Sequence, residues 1–145
     1  MSSTDFVGGA APVAGALLRL DPGDELHDCV RRWAKERDVR GGAIWGIGAV
    51  DEIELGYFRL SEKVYDRRLV KERVEVVSLM GNLSMKDGEP FLHAHGVFTG
   101  PDWAAFGGHV FRAVASITLE VFIVAAPEMI RVPYPQFGLS QIRCE

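Results

Sequence analysis

The sequence predicts a single α+β domain, a mostly antiparallel β-sheet packed with one main helix. Three observations carry that expectation. Only one stretch has helical periodicity, with Leu26, Cys29, Val30 and Trp33 on one side. Several others alternate or run apolar in the manner of strands. Between two of these, Lys86-Asp87-Gly88-Glu89 is a hairpin signal that sets its flanking strands antiparallel. The chain has 145 residues, enough to build a core without disulfides.

Taken in order, residues 1–12 read as a flexible tail and the domain as 13–145. Val13 to Leu20 reads as a first strand. Asp21-Pro22-Gly23-Asp24 stops it and supplies acid for a helix start, and the helix is expected to run to about Asp38, where Gly41-Gly42 ends the element. His27 lies off the apolar stripe and reads as a surface residue. Ala43–Val50 forms an apolar strand with a glycine-punctuated bend, and Glu52–Leu60 a second strand. Gly46-x-Gly48 lacks the third glycine and the strand–turn–helix context of a nucleotide loop, so these glycines are read as bulge or close-packing positions. Residues 61–70 read as a polar loop carrying Tyr65. Arg73–Met85 is a long strand with a kink near Gly81-Asn82. After His109 an irregular connection is expected to lead to Ser116–Ala125. That stretch is apolar on both faces and should be central or buried between layers. Pro127, Pro133 and Pro135 break the remainder, and Leu139–Arg143 adds a short edge strand.

Composition narrows the partners. The net charge is −4, whereas a domain that holds nucleic acid by itself shows a basic surplus. Two basic clusters occur: Arg31, Arg32, Lys35, Arg37 and Arg40 in the helix region, then Arg67, Arg68, Lys71 and Arg73. Both are interleaved with acids and read as salt-bridged faces; the second is the candidate nucleic-acid surface. No apolar run is long enough to span a bilayer, and the first residues lack the pattern of a signal peptide. The two cysteines, Cys29 and Cys144, stand far apart and suit a reducing cytoplasm.

The chemistry concentrates between Pro90 and His109, which holds three of the four histidines. On a strand His93 and His95 point the same way, roughly 7 Å apart at the backbone. Gly100-Pro101-Asp102 is a turn signal that should bring His109 back to the pair. Three imidazoles suit a divalent transition metal, zinc above all, with one position left for water or a ligand. The same residues also suit a hydrogen-bonded core or interface cluster. Glu75 and Glu120 are strand carboxylates that could orient the histidines from behind or sit in buried ion pairs.

Several ordered motifs then resemble one family. They are Arg19-Leu20-Asp21-Pro22-Gly23-Asp24-Glu25-Leu26, Gly46-Ile47-Gly48-Ala49-Val50, Glu75–Asn82, Asp87–His95, Gly107-Gly108-His109-Val110 and Thr118-Leu119-Glu120-Val121. Together they resemble the PPC domain (plant and prokaryote conserved) over about residues 13–142. The resemblance implies a compact α+β fold that assembles as a homotrimer. It also implies that His93, His95 and His109 gather near a subunit interface around a metal. Plant members carry the domain behind an AT-hook in nuclear DNA-binding proteins, and stand-alone prokaryotic members are described as candidate DNA-binding proteins. Arg73-Val74-Glu75-Val76-Val77 resembles a segment tied in plant members to contacts between chains. No Arg-Gly-Arg-Pro hook is present in this sequence. Two function classes follow. One is a trimeric metal-bearing module acting in DNA-associated regulation or partner binding. The other is a small enzyme that activates water at a three-histidine zinc.

Overall fold

The helix α1 spans Leu26–Glu36. Glu25, rather than one of the earlier acids, caps it: its side chain accepts from the backbone N–H of Asp28 at 2.8 Å. Leu26, Cys29, Val30 and Trp33 are buried, as their spacing requires. His27 is not a free surface residue. It is half-buried, and its Nε2–H donates to the carbonyl oxygen of Val110 at 3.0 Å. Burial, the larger effect, lowers its pKa.

This computed structural model describes residues 2–6 and 15–143. Its strands are β1 (Ser2–Phe6), β2 (Gly15–Leu20), β3 (Gly42–Arg59), β4 (Val64–Val70), β5 (Val74–Lys86), β6 (Glu89–Thr99), β7 (Ala105–Ala125), β8 (Arg131–Tyr134) and β9 (Leu139–Ile142). Among the described residues the fold is thus a mostly antiparallel sheet with a single helix. Seven strands form one sheet in the order β1-β2-β7-β6-β5-β3-β4, and β8-β9 form a second. Because β3 also pairs with β7, the strands β3, β5, β6 and β7 close into a ring. Of the expected tail, Ser2–Phe6 pair antiparallel with β2, and residues 7–12 lie outside the described residues.

Five local expectations are corrected. The two strands foreseen at 43–50 and 52–60 are one strand, β3, which absorbs its glycines in register shifts rather than a bend. Gly48 has φ +145°, and a Cβ there would strike the carbonyl of Thr118, so the position requires glycine. The foreseen polar loop at 61–70 contains β4, an edge strand against the second half of β3. In β5 the irregularity falls between Val76 and Ser78, not at Gly81-Asn82. No irregular connection follows His109, because β7 runs unbroken from Ala105 to Ala125. Pro133 lies within β8 instead of ending the regular structure.

One face of the ring and the inner face of α1 enclose the core, where Leu79, Leu83, Phe98, Leu119 and Ile123 are fully buried. Each such side chain contributes roughly 1.5–3 kcal/mol of burial. Ser116–Ala125 is central, as expected, but only one side of it is core: Leu119, Val121 and Ile123 are buried while Phe122 and Val124 are partly open. The outer face of the ring remains apolar, with Trp45, Ile47, Val77, Met80 and Val97 exposed.

Candidate metal centre

His93 and His95 lie on β6, alternating with the buried Leu92, Ala94 and Phe98, so both point away from the core. The hairpin before them has φ of +53° at Asp87 and +83° at Gly88, the two positive values of a type I′ turn, and it fixes the β5–β6 register. The turn after them doubles the chain back: the Trp103 N–H donates to the Gly100 carbonyl at 3.1 Å, and the Ala104 N–H to Asp102 Oδ1 at 3.0 Å. As a result His109 on β7 stands directly opposite His95. A Cβ on Gly107 would collide with the Gly96 carbonyl, so this close approach of β7 to β6 depends on glycine just before the histidine.

The three rings form a triangle with centroids 5.1, 5.2 and 5.3 Å apart. One ring nitrogen from each lies within 4.8 Å of the others. A tetrahedral zinc with nitrogen ligands at about 2.0–2.1 Å holds them roughly 3.3 Å apart, so small side-chain rotations close the set. Chemistry supports the fit as well as spacing. Burial, with smaller contributions from neighbouring positive groups, lowers the pKa of His93 and of His109 to about 4. Both rings are therefore neutral at physiological pH, the form that ligates. The Nδ1 of His109 is buried and has no hydrogen-bond partner among the described residues, as expected of a group that is completed by a ligand.

Around the triangle the structure assembles groups that the sequence did not assign to this site. Tyr65, from β4, packs against His109 at 5.1 Å between ring centroids, and Phe111 does so at 4.5 Å. Arg67 lies over the Phe111 ring at 3.8 Å. Arg131, from β8, donates through Nη2 to His93 Nδ1 at 3.1 Å and to Asn82 Oδ1 at 2.8 Å. Tyr65, Phe111 and Arg131 line a cavity of about 500 Å³ that opens onto His93 and His109. Arg131 stood in a Pro-punctuated segment with no periodicity to mark it, and Tyr65 in an apparent loop.

The two candidate carboxylates lie elsewhere. Glu75 pairs in register with Ala49 and Thr99, Glu120 with Ile47, and both line a separate depression with Val77 and Trp103. Among the described residues neither backs a histidine. The candidate nucleic-acid residues are largely neutralised. Arg67 pairs with Glu54 at 2.8 Å, Lys71 with Glu52 at 3.5 Å and Arg73 with Asp51 at 3.3 Å, while Arg68 lies 5.8 Å over the Phe106 ring. In the helix region Arg31 pairs with Asp28 and Lys35 with Glu89. Both clusters are thus salt-bridged surfaces.

The description of the Plants and Prokaryotes Conserved (PCC) domain matches residues 10–127. The chain belongs to this family. A metal-containing protein from Archaeoglobus fulgidus is 33% identical, with 99% of each chain covered and a TM-score of 0.83. A plant- and prokaryote-conserved protein from Pyrococcus horikoshii is 30% identical, covering 97% of this chain and 99% of that one, with a TM-score of 0.84. The fold is also that of a candidate DNA-binding protein from Bacteroides thetaiotaomicron, at 24% identity, 98% and 96% coverage and a TM-score of 0.89. No curated protein sequence matches the chain. No helix among the described residues of this PCC-domain protein is long and apolar enough to cross a membrane.

Proposed function

We propose that this protein is a homotrimeric, zinc-binding PCC-domain module of the cytoplasm, formed by residues 13–145 and acting in DNA-associated regulation or partner binding. The observation that carries the reading is the convergence of His93, His95 and His109 from two paired strands, with the buried Nδ1 of His109 left without a partner. The metal named for the Archaeoglobus relative lends it support. Elemental analysis of protein purified without chelator and reloaded with zinc is the direct test. One zinc per chain is expected, and none retained would return the histidines to a purely interfacial role.

Assembly follows from the outer face of the ring. In register, Trp45, Met80 and His95 form one row across β3, β5 and β6. Trp45 stacks on Phe122 at 5.5 Å, yet Met80 is 65% and Ile47 55% exposed. An apolar surface of this kind marks a contact with another chain. Light scattering is expected to give a trimer at micromolar concentration, and Met80→Asp to shift it towards monomer because a buried unpaired carboxylate is costly. A monomeric wild-type protein would end the proposal.

Direct DNA binding is expected to be weak. The chain carries net charge −4 and its arginines face acids, so few phosphates can be neutralised. In fluorescence anisotropy, duplex DNA should bind only at low salt and without sequence preference. Tight binding to one sequence at physiological salt would show that the β4 arginines exchange their acids for phosphate.

A second reading has its own support. The cavity beside His93 and His109 gives a small substrate room at the metal. A divalent ion there would act as a Lewis acid, which is the basis for a small metal-dependent hydrolytic enzyme.

A further inference from the structure

Arg131 is a cation in search of an anion. Its side chain is half-buried, and burial lowers its pKa. Among the described residues no carboxylate pairs with it. Its partners are all neutral: Nε donates to Ser84 Oγ at 3.0 Å, Nη1 to the Ser140 carbonyl at 3.3 Å, and Nη2 to Asn82 Oδ1 and His93 Nδ1. Guanidinium carries five N–H donors, so among the described residues one on Nη1 remains unused.

The bond to His93 adds a second element. Arginine only donates, so His93 Nδ1 must offer its lone pair, and in a neutral ring the proton then sits on Nε2. A metal cannot be accommodated without breaking this arrangement. At Nδ1 it competes with Arg131 directly. At Nε2 it needs that lone pair, so the proton moves to Nδ1 and faces the Arg131 donor. In either case an Nη2–H loses its acceptor next to a new positive charge.

The cavity surrounding that donor is cationic and aromatic. Arg131 Cζ lies 5.1 Å and Lys86 Nζ 5.3 Å from the centre of the Phe91 ring. Tyr65 and Phe111 line it as well, and Asp87, the acid among its lining residues, pairs with neither cation among the described residues. The geometry points to a binding site for a small organic carboxylate with a flat apolar body, held by the Nη1 and Nη2 donors of Arg131 beside the metal and binding cooperatively with it. The inference rests on the metal reading and deepens it. A carboxylate satisfies the donor that metal binding strands and offsets the added charge. Linkage then requires each ligand to tighten the other by the same factor.

The test is a calorimetric zinc titration of the full chain, alone and with saturating benzoate, with the uncharged benzamide as control. Zinc should bind about 10-fold tighter with benzoate, within the usual range for coupled sites. Benzamide should change nothing. R131Q should bind zinc alone at least as tightly as the wild type, since the competing hydrogen bond is gone, and should lose the benzoate effect. If R131Q does not fold, R131K serves, because an ammonium lacks the paired donors. Equal zinc affinity with and without benzoate overturns the proposal, as does an equal effect of benzamide. Failure to bind zinc under any condition instead overturns the metal reading beneath it.

Discussion

His109→Ala is expected to lose stoichiometric zinc while keeping its fold. Loss of an outer acceptor that receives the free ring N–H of a metal-bound histidine already costs about 10–100-fold in affinity, and loss of the ligand itself should cost more. The ring is only half-buried and belongs to the outer face, so circular dichroism should match the wild type. His93→Ala should behave alike. Zinc retained at wild-type affinity in either variant would rule out the three-histidine centre. The pH dependence is a companion to this result. Proton competition at an ordinary histidine begins near pH 6.5, but His93 and His109 are lowered to about 4. These two rings should therefore leave metal binding intact through pH 6 and yield only on approach to pH 4. Without metal the sign is also set. The unfolded chain takes up protons that the folded one refuses, so the stability from these neutral rings is complete above about 6.5 and is lost as pH falls towards 4. Thermal melts of metal-free protein across that range should show the decline, and it should be weaker in a His93→Gln, His109→Gln double variant.

Phe98→Ala is expected to cost about 3–5 kcal/mol, the range for deleting a buried aromatic ring. Phe98 is 1% exposed and lies 6.0 Å from Phe106 between ring centroids. Its ring also fills the space beside Gly96, where a Cβ would come within 2.6 Å of it. Since Gly96 follows His95, a collapse into that void would disturb the strand that aims both β6 histidines. Urea denaturation should show the loss directly. A cost below about 1 kcal/mol would mean that this ring is not part of a close-packed core.

What could be read from the sequence was local. The α1 stripe, the Asp87-Gly88 hairpin and the shared face of His93 and His95 each follow from periodicity or turn chemistry within a few residues. The return of His109 followed from one turn. Other features depended on distant partners. In β4 only Val70 is buried, so no alternation marks it, and its strand character comes from pairing with β3. The same pairing carries Tyr65 to His109. Closure of the ring through β3 and β7 depends on contacts some 70 residues apart, such as Gly48 with Leu119, that no window along the chain contains. Arg131 reaches His93 and Asn82 only because β8 lies beside β5, where Ile130 bridges to Met85. Glu75 and Glu120 looked equally suited to support the histidines, and only the strand register places them elsewhere. The histidines themselves were legible because the strand's two-residue repeat sets their direction, whereas the groups around them are brought there by tertiary pairing alone.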